Sequence, residues 1–322
     1  AQGIDGGVAA SRAAIIGGCA ATSNVLAGRL FGVPVKGTHA HSWVMIFDSE
    51  LEAFQTYARA MPNNAVLLVD TYDTLEGVRR AVEVGRWLRE HGHDLAGIRL
   101  DSGDLAWLSI EARKILDEGG FPETTIVASS DLEEYTIRSL KEQGAKITLW
   151  GVGTHLATAH NQPALGGVYK LSAIRRPGED WVHKIKLSEQ RVKISNPGKI
   201  QVRRFAQDGE YVGDMIYDEL LGEPATETIV DPLDSTRRKR LEGTIRELLV
   251  PVFRRGELVD DEHLGRDLMA IQKRAQDDLD SFHAGIKCFE NPHQYPAGLE
   301  LGLHELKTQL ILEARGFAGK EE

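Results

Sequence analysis

The sequence predicts an α/β fold with parallel strands, followed by a smaller β-rich domain and a helical C-terminal segment. In the first half, short apolar runs alternate with segments of helical periodicity. Polar residues follow these runs at positions 41, 70, 101 and 131, at intervals of 29, 31 and 30 residues. Such an interval is the length of one βα unit. After about residue 168, turn signals separate short runs, which favours antiparallel strands.

The strands of the first half are mostly apolar on both faces, as buried parallel strands are. We place them at residues 33–41, 65–69, 96–100, 125–128 and 146–150. Between them, apolar residues recur at helical spacing in segments that begin near Leu75, Leu105 and Leu132. Because the carboxyl ends of parallel strands meet on one face, we expect the active site at those ends.

Three parts are predicted along the chain. Residues 1–170 form an α/β barrel core that carries the active-site strand ends, residues 171–255 a small β-rich domain, and residues 256–322 a helical segment. The β-rich part rests on four runs, at 168–171, 181–187, 199–205 and 211–217. Turn signals such as Asn196-Pro197-Gly198 and Asp208-Gly209 separate them.

Composition and charge exclude several classes of protein. The 322 residues carry a net charge of −10, so a general nucleic-acid-binding surface is not expected. Two cysteines allow neither a disulfide scaffold nor a structural zinc cluster, which favours a reducing cytoplasm. No apolar run approaches the roughly 18 residues of a membrane span, so we expect no membrane association.

His39 and His41 are the first candidates for chemistry. Residues two apart in a strand point to the same side, and such a His pair at a barrel strand end binds metal in zinc hydrolases. Another catalytic role, or a purely structural place in a cleft, explains the pair equally well.

Carboxylates also follow the predicted strands, at Asp70, Asp73, Asp101, Asp104 and Asp131. An Asp after a strand is often the N-cap of the next helix, which is the alternative interpretation of Asp104 and Asp131.

Arg99 and Asp101 share a strand face, which indicates either an ion pair or a site for phosphate and ribose hydroxyls.

The run Gly151-Val152-Gly153-Thr154 lies between a predicted strand and a predicted helix. Glycines let the backbone curl so that its N–H groups point at an anion. With Ser129-Ser130 at the adjacent strand end, this loop predicts a phosphate cradle.

Six separated blocks resemble nicotinate phosphoribosyltransferases, in the order found in that family. They are residues 1–7, 21–28, 37–43, 68–74, 99–104 and 151–154. Residues 291–296 resemble the C-terminal signature of the family. The family has an N-terminal portion upstream of the first block, with residues that clamp the pyridine ring, and this sequence apparently lacks it.

The resemblance implies an irregular α/β barrel of the type II phosphoribosyltransferase kind, with a smaller β-rich domain, in a homodimer. It implies an ATP-coupled ligase, also a glycosyltransferase, that joins nicotinate to 5-phosphoribosyl 1-diphosphate (PRPP). The products are nicotinate mononucleotide and diphosphate, in NAD salvage. ATP, PRPP and nicotinate are the expected partners, Mg²⁺ the expected cofactor, and a phosphohistidine the coupling intermediate.

Roles follow from the resemblance by motif. His41 corresponds to the phosphorylated histidine, with Asp70 as the carboxylate that holds its tautomer. Asp101 is expected to hold ribose hydroxyls or a Mg²⁺-bound water, and no protein metal ligand is assigned beyond that.

Ser23 resembles the position near the pyridine carboxyl. The related nicotinamide enzyme has an Asp there, which would repel the nicotinate anion, whereas a hydroxyl donates to it. Further substrate-binding roles are implied for Thr38, Arg99, Ser129, Asp131, Gly151, Gly153 and Thr154.

Two other functions compete with this interpretation. A metal-dependent barrel hydrolase would use His39 and His41 with further ligands at later strand ends. A non-catalytic, truncated remnant of the family would keep the fold without the reaction.

Overall fold

The computed structural model of the protein describes residues 3–259 and 267–317. The chain divides into two compact units, Ala1–Leu165 and Gly166–Glu322. Each unit has a main sheet of its own, parallel in the first and mixed in the second. The boundary between the two units lies close to residue 170, the predicted end of the barrel core, and the further division at residue 255 stays a prediction.

The first unit alternates helices and strands. Its helices are α1 (Gly3–Ile16), α2 (Val25–Phe31), α3 (His41–Met45), α4 (Glu50–Ala60), α5 (Thr74–Glu90), α6 (Leu105–Glu118), α7 (Glu134–Glu142) and α8 (Thr154–Ala157). Its strands are β1 (Val66–Leu68), β2 (Gly97–Leu100), β3 (Thr125–Ala128) and β4 (Leu149–Trp150). The strands form a parallel sheet in the order β1-β2-β3-β4, so the α/β class is confirmed, while closure into a barrel stays a prediction.

The parallel sheet and the helices around it share one apolar core. Strand residues such as Leu67, Ile98 and Ile126 are at most 1% exposed, which is why these runs are mostly apolar. Helix α5 contacts both α4 and α6. Its buried positions, among them Val78 and Leu88, follow the helical spacing of the sequence.

One predicted strand, at residues 33–41, is absent. Only a single bridge forms there, between Thr22 and Val35, and His41 instead begins α3. The N–H of Leu68 points away from β2 and donates a hydrogen bond to Nε2 of His39. A side chain therefore occupies the backbone donor that a neighbouring strand would have used.

Helix α5 comes unusually close to the end of β1 at Gly77. A Cβ atom added to Gly77 would lie 2.1 Å from the carbonyl oxygen of Val69, which precedes Asp70. A helix can approach a strand this closely only where it carries no side chain. Gly77 therefore helps to set the position of the first active-site strand end.

The second unit is built mainly of strands. They are β5 (Ala173–Ile174), β6 (Val182–His183), β7 (Ile200–Gln207), β8 (Glu210–Asp218), β9 (Thr228–Val230), β10 (Arg238–Arg240), β11 (Thr244–Glu247), β12 (Phe253–Arg254), β13 (Glu257–Leu258) and β14 (Ala297–Glu300). Helices α9 (Leu268–Asp280) and α10 (Leu301–Ala314) complete it. The six-stranded sheet has the order β10-β9-β14-β8-β7-β11.

Strands β7 and β8 confirm the predicted runs at 199–205 and 211–217. The run at 181–187 is reduced to the short β6, and residues 168–171 form no strand. The predicted helical segment 256–322 does contain α9 and α10, but it also contains β14, which pairs in parallel with β8. Residues 260–266 and 318–322 of that segment lie outside the described residues.

The block at residues 291–296 is hydrogen-bonded to this sheet through Tyr295. The hydroxyl of Tyr295 donates to Asp214 Oδ1 at 2.8 Å, and the guanidinium of Arg204 binds both oxygens of the same carboxylate. The guanidinium also lies 4.6 Å from the centre of the Tyr211 ring and 5.3 Å from that of Phe282. The block that resembles a family signature thus has a structural role here.

Within the described parts of the chain, no helix combines the length and the apolar character that crossing a membrane requires.

The close approach at Gly77 gives a test in which two effects predict opposite signs. Helix propensity alone would make Gly77→Ala stabilising by up to about 1 kcal/mol. Because the new methyl group would lie 2.1 Å from a backbone oxygen, we expect a loss of about 1–3 kcal/mol in the free energy of unfolding. Urea denaturation measures it. The control is Gly17→Ala, where the nearest atom would lie at an ordinary 3.4 Å, and equal effects of the two substitutions would contradict the prediction.

Candidate active site

The register of the parallel sheet brings three strand ends to one level. Aligned across the sheet are Leu68, Arg99 and Val127. Two residues beyond these positions come Asp70, Asp101 and Ser129. The predicted convergence of polar residues at the carboxyl ends is therefore confirmed for β1, β2 and β3.

The guanidinium of Arg99 joins three separate segments. Its Nε donates to Ser129 Oγ at 2.8 Å, and its Nη1 donates to Thr38 Oγ1 at 2.9 Å. Its Nη2 donates to Asp101 Oδ1 at 3.0 Å. Because the guanidinium is planar and its donors are fixed, these bonds set the relative positions of the loop before α3 and the ends of β2 and β3.

Asp101 is held as an anion. Burial alone would raise its pKa, but hydrogen bonds from Ser129 and Arg99, with the charge of Arg99, lower the pKa below its ordinary value. Its Oδ1 takes both of those bonds, and its Oδ2 faces His41. A carboxylate in this state can accept hydrogen bonds from hydroxyl groups of a bound ligand.

Asp70 is almost completely buried, with 1% of its side chain exposed. Its Oδ2 accepts from the backbone N–H of Asp101 and from the hydroxyl of Ser102, each at 2.8 Å. Its Oδ1 has no hydrogen-bond partner among the described residues and lies 3.8 Å from His41 Nε2. A buried carboxylate oxygen without a hydrogen bond costs free energy, so the position of Oδ1 favours a protonated nitrogen on the side of His41 that faces it.

His41 lies at the first residue of α3, with its ring between hydroxyl and carboxylate groups. Its Nε2 is 3.6 Å from Asp101 Oδ2, on the same side as Asp70. Its Nδ1 is 3.1 Å from the hydroxyl of Thr71. The structure thus brings His41 close to the predicted Asp70 and Asp101, and adds Thr71, which is not among the predicted site residues. The only signal for Thr71 in the sequence was its place directly after Asp70.

His39 has a different environment from His41, which removes the proposed metal pair. Its Nε2 accepts from Leu68 N–H at 3.1 Å, so its Nδ1 carries the proton and faces the carbonyl of Ala40. The ring is 7% exposed and packs edge-on against Tyr57. Burial lowers the pKa of His39 below its ordinary value. The segment is not a strand, so the rule that residues two apart share a side does not apply.

Metal binding by protein side chains finds no support in the geometry. In the described ranges 3–259 and 267–317, no three His, Cys, Asp or Glu residues are grouped to hold an ion. Asp101, expected to hold ribose hydroxyls or a Mg²⁺-bound water, has the Arg99 guanidinium on Oδ1, and that cation would repel a directly bound divalent ion. Asp101 therefore does not fit a direct metal ligand. Contact with Mg²⁺ through a bound water stays a prediction.

The glycine loop lies beside Ser129. Gly151 N–H donates to the carbonyl of Ala128 at 2.7 Å, and a Cβ on Gly151 would lie 3.5 Å from the Cβ of Ser129. Gly153 then precedes α8, whose first residue is Thr154. The structure thus brings the predicted loop next to the end of β3, with the side chain of Thr154 exposed.

Two predicted site residues are not joined to this cluster by any described hydrogen bond. Asp131 is exposed, and its φ of 40° lies in the left-handed region, as does the φ of 94° at Ser130. Glu133, and not Asp131, caps α7, whereas Asp104 does cap α6. Ser23 is exposed just before α2.

Comparison with known proteins places this fold and site in a class. The chain is similar to a human nicotinic acid phosphoribosyltransferase structure, with a TM-score of 0.78, 25% identity, and coverage of 96% of this chain and 68% of that one. A nicotinate-nucleotide pyrophosphorylase from Pyrococcus furiosus shares the fold, with a TM-score of 0.57 and 19% identity. The fold of this chain is therefore one that a nicotinic acid phosphoribosyltransferase also has.

The particular family follows from sequence. A nicotinate phosphoribosyltransferase from Bacillus subtilis is 40% identical over 331 aligned residues, which cover all of this chain and 66% of that protein. A relative from Dictyostelium discoideum is 40% identical over 68% of this chain and 44% of its own length. The family model of the nicotinate phosphoribosyltransferase C-terminal domain matches residues 198–307. The chain belongs to the nicotinate phosphoribosyltransferase family and spans about two thirds or less of these curated relatives.

The buried neutral ring of His39 predicts a pH dependence of stability. A folded pKa below the unfolded value of about 6.5 means that its contribution is complete above that pH and is lost as the pH falls toward the folded pKa. We expect His39→Gln, which cannot titrate, to reduce this acid loss, by up to about 1.4 kcal/mol for each pH unit of the window.

Denaturant unfolding at a series of pH values between neutral and acid measures the difference. The exposed His91, substituted as His91→Gln, is the matched control. Parallel pH profiles of wild type and His39→Gln would show that His39 is not buried as the neutral form.

Proposed function

We propose that the protein catalyses the joining of nicotinate to PRPP, which forms nicotinate mononucleotide and diphosphate and feeds NAD salvage. ATP hydrolysis is coupled to this reaction through a phosphorylated His41. The observation that carries the proposal is the Arg99 guanidinium, with its three hydrogen bonds, beside His41 and the carboxylates of Asp70 and Asp101. Membership of the nicotinate phosphoribosyltransferase family supports the choice of substrates.

The strand ends offer groups suited to each part of PRPP. Asp101, as an anion, accepts hydrogen bonds from the ribose hydroxyls. Backbone N–H groups of residues 152–154, in the loop next to Ser129, bind the 5-phosphate, since the N–H of Gly151 already donates to Ala128. Arg99 supplies positive charge for the pyridine carboxylate or for phosphate.

The reaction itself needs no protein base. The pyridine nitrogen carries a lone pair, forms the bond to C1 of the ribose, and displaces the diphosphate. The ribosyl centre becomes cationic in the transition state, and the carboxylate of Asp101 at the site stabilises that charge. The main task of the protein is then to position two reactants, which can account for several kcal/mol of the barrier.

Mg²⁺ belongs in this proposal as part of the substrate. Since the surroundings of Asp101 do not fit a direct ligand, we place the ion on the diphosphate of PRPP, whose charge it neutralises. No step depends on a metal site of the protein.

For the ATP step, the carboxylates of Asp70 and Asp101 are the partners of His41. A neutral imidazole is a nucleophile for the γ-phosphate of ATP, and the ring becomes positively charged once the N–P bond has formed. The two carboxylates, within 4 Å of Nε2, stabilise that charge. The homodimer implied by the family resemblance, and a cytoplasmic location, belong to the same proposal.

The test of function is formation of nicotinate mononucleotide from nicotinate, PRPP, Mg²⁺ and ATP. We expect His41→Ala to lower ATP hydrolysis by about 100-fold or more, because it removes the nucleophile, while some PRPP-dependent synthesis remains. His91→Ala, at an exposed position, should behave like wild type. Unchanged ATP hydrolysis in His41→Ala would remove His41 from the role, and a wild type inactive in both assays would favour the non-catalytic remnant.

Selectivity for the acid over the amide is tested at Ser23. We expect Ser23→Asp to lower kcat/KM for nicotinate by about 10-fold or more, since two anions would then face each other. The value for nicotinamide should change less. Ser23→Asn, of equal size and neutral, is the control. Equal use of nicotinate by Ser23→Asp and wild type would place Ser23 away from the pyridine carboxyl.

A further inference from the structure

We propose that Thr71 is a positioning residue that holds the ring of His41 with Nε2 toward Asp70 and Asp101, so that Nδ1 is the ring nitrogen with the free lone pair. This inference rests on the proposed role of His41. It adds a residue to which neither the sequence analysis nor the family resemblance gave a role. The observation behind it is the 3.1 Å contact between His41 Nδ1 and Thr71 Oγ1.

The two sides of the His41 ring face groups of different chemistry. On the Nε2 side lie the carboxylate oxygens Asp70 Oδ1 and Asp101 Oδ2, at 3.8 and 3.6 Å. Carboxylate oxygens can only accept hydrogen bonds, whereas the threonine hydroxyl at Nδ1 can donate or accept. A neutral ring satisfies both sides only when Nε2 carries the proton and Thr71 donates to Nδ1.

The opposite tautomer would leave a buried group unsatisfied. With the proton on Nδ1, the lone pair of Nε2 would face two anionic oxygens. One of them, Asp70 Oδ1, is buried and has no other hydrogen-bond partner among the described residues. Because the side chain of Asp70 is buried, solvent screens this repulsion little, and the environment selects the Nε2–H form.

The consequence for the ATP step is a choice of atom. The Nδ1 lone pair forms the bond to the γ-phosphorus, the bond from that phosphorus to the bridging oxygen breaks, and the electron pair leaves with ADP. The proton on Nε2 stays, and the resulting positive ring faces Asp70 and Asp101. Before attack, the hydroxyl of Thr71 must turn away from Nδ1, which a rotation about its χ1 allows.

The test measures the tautomer directly, by ¹⁵N nuclear magnetic resonance of histidine-labelled full-length chain at about pH 8, where an ordinary imidazole is neutral. The His41 signals are those absent from His41→Gln. We expect wild type and Thr71→Ser, which keeps the hydroxyl, to show a protonated Nε2 and an unprotonated Nδ1. Thr71→Val, of nearly equal shape, should shift the Nδ1 signal, because the Nδ1 lone pair loses its hydrogen bond, and should lower ATP hydrolysis by about 10-fold or more.

Each result decides the proposal. A protonated Nδ1 in wild type, or an unchanged Nδ1 signal and the same ATP hydrolysis in Thr71→Val, would overturn it. Folding is checked by comparing the remaining histidine signals of each variant with those of wild type. If wild type shows the Nε2–H form but neither hydrolyses ATP nor forms nicotinate mononucleotide, the proposed function fails while the positioning of His41 by Thr71 stands.

Discussion

The guanidinium of Arg99 is the interaction on which the site depends. Two carboxylates, on Asp70 and Asp101, lie at neighbouring strand ends, and like charges so close would repel each other in a low-dielectric setting. Arg99 offsets this with a cation 3.0 Å from Asp101, while its other donors bind Thr38 and Ser129. One side chain therefore balances the charge and aligns loops that are far apart in sequence.

The other residues of the site lie next to Asp101 and are held by their own hydrogen bonds. Asp70 is rigid because its Oδ2 binds the next strand end twice, and its free Oδ1 is turned toward His41. His41 contacts Thr71 on the other side of its ring, and His39, two residues earlier, binds the backbone of β1. The His41 ring thus has a hydrogen bond to Thr71 on one side and two carboxylates within 4 Å on the other, and the parallel sheet brings these groups to the same level.

Local patterns in the sequence predicted the regular parts of this structure well. Strand β3 has the predicted bounds of 125–128, and Asp104 caps α6 as one interpretation proposed. The predictions fail where tertiary contacts determine the local structure. Residues 33–41 alternate like a strand, yet the ring of His39 fills the backbone position that pairing would need. Thr71 is an ordinary loop residue until the fold brings His41 to it across 30 positions. The short strand β14 is not predicted from the sequence, because it lies between helices and pairs with β8, which is distant in sequence.

The bond from Leu68 to His39 also bears on how the protein behaves in concentrated solution. Strand β1 is at the border of the described parallel sheet, and exposed donors on such a border recruit strands from other molecules. The imidazole of His39 accepts the hydrogen bond of one such donor, the Leu68 N–H, in place of a further strand. Protonation of His39 in acid would remove the acceptor that the Leu68 N–H requires, so acid would act on the end of β1 and on the segment that carries His41 together.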